Sequence, residues 1–288
     1  MNFSELGLSP ALQRTVASMG LATPTPIQTQ AIPAVLQGRD VWACAPTGSG
    51  KTLAYALPLV QLVGQTPRQT NFRRPIRCLV LVPTRELAVQ VGQVMHPVSD
   101  AQGLKIVVAH GGVSINPQMM ALRGGADMVV ATTGRLLDLV AHNALRLSDV
   151  QHLVLDEADR LLELGFADEL QAVLALLPAP RQTLLFSATF ADDLSVWAHQ
   201  GLRDPLRMRS DAIEVQDAPD IAQSAIAVDE KKRTALLRHL IATQGWQRVL
   251  VFVATRYACA HLASKLCTAG VRASAMHGDM SQGGRQAA

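Results

Sequence analysis

The sequence predicts an α/β protein built on a doubly wound parallel β-sheet. Between residues 40 and 210, short apolar runs alternate with helical patterns, which is the order that strand–helix–strand units produce. Several runs are apolar throughout, as expected of strands that are buried on both faces of a sheet. The alternation stops over residues 211–224 and then resumes, which predicts a second domain of the same kind.

Six strands are predicted in the first part of the chain, each a short run rich in β-branched residues and leucine. They are Asp40–Ala45, Cys78–Val82, Lys105–Ala109, Met128–Ala131, His152–Leu155 and Thr183–Ser187. The clearest helical pattern between them covers Arg160–Leu177, where apolar residues recur once per helical turn. This order predicts parallel strands joined by right-handed crossovers.

Two domains and a linker are predicted along the chain. Residues 1–210 form the first domain, and residues 211–224, which contain Pro219 and several acidic residues, form the linker. The second domain, residues 225–288, is predicted to contain strand Ala225–Val228, helix Glu230–Thr243, strand Arg248–Val253, helix Arg256–Thr268 and strand Arg272–Met276. Because a doubly wound sheet usually has more strands, we expect this domain to be incomplete.

The composition favours a folded protein of the cytoplasm. Of the 288 residues, 49% are hydrophobic and 17% are charged, which supplies a large core and excludes disorder as the overall state. No apolar stretch reaches the roughly 18 residues of a membrane helix. The first residues lack the basic flank and apolar core of a secretory signal. The cysteines show no metal-ligand spacing and are interpreted as reduced thiols.

Charge is distributed unevenly along the chain. Residues 226–288 hold 9 of the 26 basic and 3 of the 23 acidic residues, a net charge of +6, which leaves −3 for the rest. A basic second part is typical of a protein with a polyanionic partner, and equally of a solvated basic surface. The charge alone leaves both interpretations open.

The strongest chemical signal is Ala-Pro-Thr-Gly-Ser-Gly-Lys-Thr at residues 45–52, between the first strand and an apolar helix. It matches the end of the phosphate-loop pattern G-x-x-x-x-G-K-[ST], with Ala45 in place of the first glycine. Such a loop wraps backbone N–H groups around phosphates, while its lysine reaches the β- and γ-phosphates and its last hydroxyl binds Mg²⁺. The alternative, a glycine-rich turn before a helix, fits the strand–loop–helix placement poorly. The predicted nucleotide ligands here are Thr47, Gly48, Ser49, Gly50, Lys51 and Thr52.

A second signal is an apolar strand that runs directly into carboxylates at residues 152–159. We predict that Asp156 holds Mg²⁺ and that Glu157 orients and deprotonates the attacking water, so that both act with Lys51 in catalysis. The alternative is an acidic helix N-terminus favoured by the helix dipole, which applies in part to Asp159.

The letters Asp-Glu-Ala-Asp at 156–159 resemble the motif that names the DEAD-box ATP-dependent RNA helicase family. Further motifs resemble that family in the same order: TPIQ at 25–28, PTREL at 83–87, GG at 111–112, TTGR at 132–135, SAT at 187–189, VFV at 251–253 and HGD at 277–279. The resemblance implies two RecA-like domains, the second one partial here, with ATP and Mg²⁺ as ligands. It implies RNA as a partner that is held by its backbone without sequence specificity.

The resemblance assigns Gln28 to the adenine base, which an amide can bind through two hydrogen bonds. The residues themselves also fit a helix start, with Thr25 as N-cap and Gln28 at the capping-box position. The family usually has an aromatic residue where this chain has Leu21. Because leucine cannot stack on the base through a π-system, we expect weaker nucleotide binding.

The resemblance also assigns a set of RNA ligands, all at predicted strand ends: Thr84, Arg85, Gly112, Thr132, Gly134 and Arg135. This is the edge of an open α/β sheet where ligands bind, and such residues grip phosphates without reading bases. The alternative is that Arg85 pairs with Glu86 and Arg135 with Asp138 on the surface. Thr133 stands where the family usually has proline, so a less rigid loop is expected.

A coupling role is implied for the strand end at 187–189. The hydroxyl groups of Ser187 and Thr189 are expected to bond Asp159 and so link hydrolysis to strand separation. The alternative is an ordinary strand-end turn that satisfies backbone groups locally.

The function expected from these motifs is ATP hydrolysis coupled to separation of RNA duplexes. The family's second domain normally ends with an arginine-rich motif, which these 288 residues do not show. An arginine finger is worth roughly 10³–10⁵ in rate, so slow hydrolysis and poor unwinding are expected. The alternatives are a nucleotide-switched RNA-binding module without productive unwinding, and a gene product without an independent role.

Overall fold

The computed structural model describes residues 2–65, 73–189, 194, 197–198, 201–209 and 221–288. The chain divides into two units, Met1–Asp217 and Ala218–Ala288. The division falls within the predicted linker, of which residues 211–220 lie outside the described residues.

The first unit is built on a seven-stranded sheet in which every pair of neighbours is parallel. Its strands are β1 (Val41–Cys44), β2 (Cys78–Val82), β3 (Ile106–Ala109), β4 (Met128–Thr132), β5 (His152–Leu155), β6 (Gln182–Ser187) and β7 (Leu206–Arg209). They lie in the order β3-β4-β2-β5-β6-β1-β7. Because all strands are parallel, their carboxyl ends meet at one edge of the sheet. The predicted doubly wound parallel sheet is confirmed for this unit.

The strand predictions hold for β1 to β6, with ends that differ by one residue at most, whereas β7 was missed. In β7, Met208 is buried while Arg207 and Arg209 are exposed, so the strand alternates instead of being apolar throughout. Within the described part of the chain it lies at the edge of the sheet, where it pairs with β1. A short, half-polar edge strand is hard to distinguish from a loop by its sequence.

Helices flank the sheet on both sides. They are α1 (Pro10–Ser18), α2 (Pro26–Leu36), α3 (Lys51–Gln65), α4 (Arg85–Asp100), α5 (Asn116–Ala121), α6 (Thr133–Ala141), α7 (Ala158–Glu163) and α8 (Ala167–Ala175), with a 3₁₀ turn at Phe3–Leu6. Along each central strand, alternate side chains join two separate buried clusters. Val80 lies in one cluster, and Leu79 and Leu81 lie in the other. Burial on both faces explains why these strands are continuously apolar.

The prediction of one helix over Arg160–Leu177 was wrong, because the chain breaks between α7 and α8. Gly165 adopts φ 82°, in the left-handed region that glycine enters without steric cost. Its N–H donates to the Leu162 carbonyl, and the Phe166 N–H donates to the Leu161 carbonyl. This is the Schellman pattern that ends a helix. The apolar period continues across the break because both helices pack on the same side of the sheet.

The second unit contains α9 (Arg233–Gln244), α10 (Arg256–Thr268) and α11 (Gln282–Ala287), with a 3₁₀ turn at Glu230–Lys232. The helix predictions at 230–243 and 256–268 are therefore close to what the structure shows.

The three strands predicted in the second unit are not formed, since residues 221–288 contain no strand. The apolar side chains of residues 248–253 are exposed; Leu250 is 79% and Phe252 88% exposed. Among the described side chains of this unit, Leu266 alone is buried. An apolar segment forms a strand only where a neighbouring strand supplies partners for its backbone hydrogen bonds. The described residues supply no such neighbour to these segments.

No helix in the part of the chain that the structure describes is long and apolar enough to cross a membrane.

Candidate nucleotide site and nucleic-acid surface

The predicted phosphate loop leaves β1 and enters α3 at Lys51. Gly48 and Gly50 have φ values of 84° and 88°, so the loop turns through the conformation that favours glycine. The Ser49 N–H and hydroxyl both donate to the Pro46 carbonyl, the hydroxyl at 2.8 Å. Thr47 is exposed at the outer side of this turn. The loop therefore places a run of backbone amides at the N-terminus of a long helix, where anions bind.

Lys51 turns back across the loop that it follows. Its side chain is buried, and Nζ donates a 2.7 Å hydrogen bond to the Ala45 carbonyl. Its charge also lies close enough to Asp156 to favour the ionised form of that carboxyl. The ammonium group thus lies between the phosphate loop and the carboxylates that end β5.

Asp156 is buried at the end of β5, and both of its carboxylate oxygens accept hydrogen bonds. Oδ2 accepts from the Tyr55 hydroxyl at 2.8 Å, and Oδ1 accepts from the Glu157 N–H at 2.9 Å. Burial raises the pKa of Asp156, although the Tyr55 hydrogen bond and the Lys51 charge oppose the shift. The orientation of this carboxylate is consequently fixed by two partners.

Glu157 has a left-handed backbone, with φ 48° and ψ 50°. This conformation costs a non-glycine residue roughly 1–2 kcal/mol, and such strain concentrates at functional sites. Glu157 is the N-cap residue of α7, but its side chain makes no capping hydrogen bond. Its carboxylate lies 3.7 Å from Arg160 Nε. Glu157 therefore stands at the acidic helix N-terminus that was considered as the alternative, without capping the helix through its side chain.

The predicted magnesium ligands, Thr52 and Asp156, meet at one side chain. The Tyr55 hydroxyl donates to Asp156, and the Thr52 side chain lies close enough to the same phenol to oppose the rise in its pKa that burial causes. A hydroxyl and a carboxylate are the hard oxygen donors that Mg²⁺ prefers, and Mg²⁺ is usually completed by phosphates and water. Among the described residues, no group of three or more His, Cys, Asp or Glu side chains is clustered for a metal. The donor set thus fits a magnesium ion shared with a bound triphosphate.

Asp159 connects α7 to the end of β6. Its Oδ2 accepts from the Ala188 and Thr189 N–H groups, both at 3.1 Å, and from the Thr189 hydroxyl at 3.2 Å. The expected contact between Ser187 and Asp159 is not formed, because the Ser187 hydroxyl donates to the Thr189 carbonyl instead. For Ser187, the local strand-end turn is what the structure shows.

Gln28 uses both ends of its amide within the protein. Oε1 accepts from the Thr25 N–H at 3.0 Å, as the capping-box interpretation requires, and Nε2 donates to the Gly50 carbonyl at 3.1 Å. A Cβ atom at Gly50 would lie 2.4 Å from Gln28 Nε2, so glycine is needed there. Gln28 thus joins α2 to the phosphate loop, while its contact with adenine stays a prediction.

Leu21 lines a cavity of about 470 Å³ near the amino terminus. Phe3, Val16 and Gly20 contribute to the same cavity, which therefore has an apolar wall. Leu21 itself is partly buried against the core.

Two predicted RNA ligands, Arg85 and Gly112, lie against each other. Gly112 has φ 74°, and a Cβ atom there would lie 1.6 Å from Arg85 Nη1. The guanidinium group therefore lies directly over the Gly112 backbone. Thr84 caps α4, since its hydroxyl accepts from the Leu87 N–H at 3.2 Å.

Arg135 is 8% exposed and anchors the loop after β3. Its Nη2 donates to the Val113 carbonyl at 2.9 Å, and Nε lies 3.6 Å from Asp138 Oδ2. The ion pair considered as an alternative is thus formed. Within the described residues, Arg135 Nη1 is buried without a hydrogen-bond partner.

The remaining two predicted RNA ligands start α6. Thr132 is the N-cap residue of that helix. Gly134 lies beside Glu169 of α8, since a Cβ atom at Gly134 would be 3.5 Å from Glu169 Oε1. The predicted RNA ligands thus follow β2, β3 and β4, which are adjacent in the sheet, so the fold brings them to one edge.

The sequence reasoning missed Tyr55 and Glu169. Tyr55 lies one helical turn after Lys51, and its only sequence signal is a phenol in an otherwise apolar helix. Glu169 carries no local signal, because its partners Thr133 and Gly134 come from a different helix.

Comparison with known proteins shows a consistent set of similarities. The sequence profile described as DEAD/DEAH box helicase matches residues 25–195. The chain is 38% identical over 283 residues to the DEAD-box ATP-dependent RNA helicase CshA of Bacillus cereus (strain ATCC 10987 / NRS 248), covering 98% of this chain and 53% of that protein. It is 36% identical over 283 residues to the ATP-dependent RNA helicase DeaD of Haemophilus influenzae, covering 98% and 45%. The chain spans about half the length of the curated relatives it matches.

Among solved structures, a DEAD box protein from the hyperthermophile Methanococcus jannaschii is similar over the whole chain. The TM-score is 0.66 and the identity 35%, covering 100% of this chain and 76% of the other. Together with the seven-stranded parallel sheet, this similarity confirms the predicted RecA-like α/β fold.

Proposed function

The chain belongs to the DEAD/DEAH box helicase family, and from this premise we propose that it binds ATP with Mg²⁺, binds RNA, and couples ATP hydrolysis to local separation of RNA duplexes. One observation carries the proposal. Thr52 of the phosphate loop and Asp156 at the end of β5 converge on the Tyr55 hydroxyl, beside the buried Lys51 ammonium. These are the groups that phosphoryl transfer needs within reach of one triphosphate.

The nucleotide is held by the phosphate loop. The amides of Thr47, Gly48, Ser49 and Gly50 bind its phosphates, and Lys51 neutralises the β- and γ-phosphates. Thr52 and Asp156 hold Mg²⁺, which supplies positive charge to the phosphate oxygens when it is bound. Gln28 and the apolar cavity beside Leu21 are the proposed adenine site.

Hydrolysis needs a group that orients the attacking water. We assign this role to Glu157, which is strained and follows the metal ligand directly. A positioned general base contributes typically 10²–10⁴ in rate. Lys51 and Asp156 act on the charge that develops on the phosphate.

RNA is held by its backbone at the edge formed by the ends of β2, β3 and β4. The proposed ligands are Thr84, Arg85, Gly112, Thr132, Gly134 and Arg135. The buried Arg135 Nη1 supports the proposal, since a buried donor normally has an acceptor and a phosphate oxygen supplies one. Such contacts position RNA but carry no base information.

Asp159 is proposed to transmit the state of the nucleotide site. It shares the DEAD segment with Asp156 and binds the backbone and hydroxyl of Thr189. A shift of the carboxylates would therefore move the strand end after β6. Ser187 supports this turn through its own hydrogen bonds to Thr189.

ATP hydrolysis measured with and without single-stranded RNA tests the proposal, and its rate tests the expectation of slow turnover. We expect Glu157→Gln to keep nucleotide affinity and to abolish hydrolysis. Lys51→Ala should lose nucleotide affinity. Lys105→Ala is the control and should keep it, because the Lys105 ammonium hydrogen-bonds the Arg123 carbonyl and has no role in the proposed nucleotide site. Unchanged affinity in Lys51→Ala would contradict the proposed site.

A second candidate function is a nucleotide-switched RNA-binding module without productive unwinding. The second unit favours it, because residues 221–288 form no sheet and leave their apolar segments exposed. RNA affinity that depends on nucleotide, together with no strand separation in the same preparation, would identify this function. In both cases the cytoplasm is the proposed location, since ATP and RNA are available there.

A further inference from the structure

Tyr55 is a buried polar side chain to which the proposed mechanism assigns no role. Its ring is fully buried on α3, and its hydroxyl donates a 2.8 Å hydrogen bond to Asp156 Oδ2. Thr52 precedes Tyr55 by one turn of the same helix, and its side chain lies beside the same phenol. One hydroxyl therefore adjoins both side chains that are proposed to hold Mg²⁺, although Tyr55 and Asp156 are 101 residues apart.

The phenol oxygen is not needed to fill space. The Tyr55 ring packs on Phe186 with centroids 5.2 Å apart and planes at 56°, a tilted arrangement that a phenylalanine would also make. Burying a hydroxyl costs free energy unless it is hydrogen-bonded, so the phenol is tolerated here because Asp156 accepts its hydrogen bond. Its contribution must therefore be sought in Thr52 and Asp156.

The hydrogen bonds have a direction that suits a metal ion. A threonine hydroxyl has one proton to donate and two lone pairs. Tyr55 gives its proton to Asp156 Oδ2, while the Glu157 N–H holds Oδ1. Because the phenol proton is committed to Asp156, Tyr55 offers no donor to Thr52, and the lone pairs of the Thr52 hydroxyl remain available to a cation. The Tyr55 and Glu157 hydrogen bonds thus fix the orientation of Asp156 beside Thr52.

We propose that Tyr55 is a positioning residue for magnesium, which holds Asp156 beside Thr52 in the geometry that the ion requires. The inference rests on the proposed nucleotide site and adds a residue to it. Mg²⁺ demands near-ideal octahedral geometry, so misplaced ligands are penalised strongly. Outer partners that orient metal ligands typically contribute 10–100-fold to metal affinity.

The test is Tyr55→Phe, which removes one oxygen and keeps the ring. Binding of a fluorescent methylanthraniloyl-ADP is followed while Mg²⁺ is titrated, and the same nucleotide is titrated in EDTA. We expect the Mg²⁺ midpoint to rise about 10–100-fold, with nucleotide affinity in EDTA unchanged. Tyr257→Phe is the matched control, because that phenol is 76% exposed in the second unit.

A merely structural tyrosine would behave differently. Loss of its hydrogen bond would lower the free energy of unfolding but leave the Mg²⁺ midpoint within about two-fold of the wild type, and that result would overturn the inference. A wild type whose nucleotide binding does not respond to Mg²⁺ would overturn the proposed function itself. The two failures are thereby distinguished.

A measurement on the wild type covers the case in which Tyr55→Phe does not fold. The chain has 2 tyrosines, so labelling their ζ carbons with ¹³C gives one NMR signal from each. Tyr257→Phe assigns the two signals. We expect the Tyr55 signal to shift when Mg²⁺ is added to the ADP complex, because Asp156 then shares its charge with the ion. A Tyr55 signal that does not move would overturn the inference.

Discussion

The Thr133 hydroxyl donates a 2.6 Å hydrogen bond to Glu169 Oε2 and so joins the first turn of α6 to α8. Thr133 is buried and stands where the family usually has proline. The sequence led us to expect a less rigid loop at this position. The hydrogen bond supplies a restraint of another kind, because it fixes the loop to a neighbouring helix.

Removing this restraint should weaken RNA binding. Thr133→Val keeps the shape of the side chain and deletes the hydroxyl, and a hydrogen bond to a charged group is worth about 1.5–3 kcal/mol. We expect a loss of that order in the free energy of unfolding of the first unit, measured in urea. RNA affinity should fall several-fold, because the proposed ligands Thr132 and Gly134 flank Thr133.

Glu169→Gln provides the matched control for this contact. It keeps a hydrogen-bond acceptor for Thr133 and removes the negative charge beside the proposed phosphate site. RNA affinity should therefore be retained or increase, in contrast to Thr133→Val. Equal losses in both variants would show that the hydrogen bond holds the loop only when its acceptor is charged.

Leu21→Phe should strengthen nucleotide binding. Leu21 lines the apolar cavity that is the proposed adenine site, and an aromatic ring there would stack on the base. Stacking of aromatic pairs is worth about 0.5–1.5 kcal/mol, which corresponds to roughly a 2- to 12-fold gain in affinity. Titration of fluorescent ADP measures it, and Leu21→Met is the control for size. No gain would place adenine elsewhere.

The first unit should lose stability in acid through Asp127. Burial opposes the charged form of this carboxylate, but hydrogen bonds from the Lys105 N–H, Arg77 and Arg74 outweigh it and hold the pKa of Asp127 below its usual range. A depressed pKa stabilises the fold above the ordinary value of about 3.9, and this stabilisation is lost as the pH falls through the lower folded value.

Asp127→Asn tests this assignment. Leaving the buried Arg77 without its charge partner should cost about 3–5 kcal/mol near neutral pH. The variant should also lose less stability than the wild type below about pH 4, where Asp127 titrates. Urea unfolding at both pH values measures this, with the exposed Asp100→Asn as control. Parallel pH profiles for Asp127→Asn and wild type would contradict the assignment.

Hydrogen exchange should differ strongly between the two units. In residues 221–288, apolar segments are exposed and no strand ladder protects the backbone. Local opening there should be easier than in β1 to β6 by at least roughly 100-fold in exchange rate. Mass spectrometry of exchanged peptides measures the difference. Equal protection would mean that a partner, such as a second copy of the chain, covers this unit.

Strands β1 to β6 were predictable because a strand that is buried on both faces of the sheet has a continuous apolar run in its sequence. The same rule failed in residues 248–253, where an apolar run has no neighbouring strand. It also failed for β7, which alternates because it lies at an edge. The break at Gly165 was missed because the spacing of apolar residues carries no information on backbone dihedral angles.

The candidate site was predictable where spacing along the chain defines the chemistry, as in the phosphate loop and the carboxylates after β5. Contacts between distant segments were not. The Tyr55–Asp156 hydrogen bond joins residues 101 positions apart, and Thr133 and Glu169 are 36 apart. Ser187 shows the same limit, since its preference for the Thr189 carbonyl depends on the local turn.

The uniform strand direction has a practical consequence for experiments on this protein. Gln151 is exposed immediately before β5, whereas Asp156 follows that strand directly. Four strand residues at roughly 3.3 Å each separate the two positions. A dye, bead or surface linker attached at residue 151 would therefore leave the edge formed by the carboxyl ends of the strands accessible to ligands. Residue 151 is thus a suitable attachment site for immobilising single molecules.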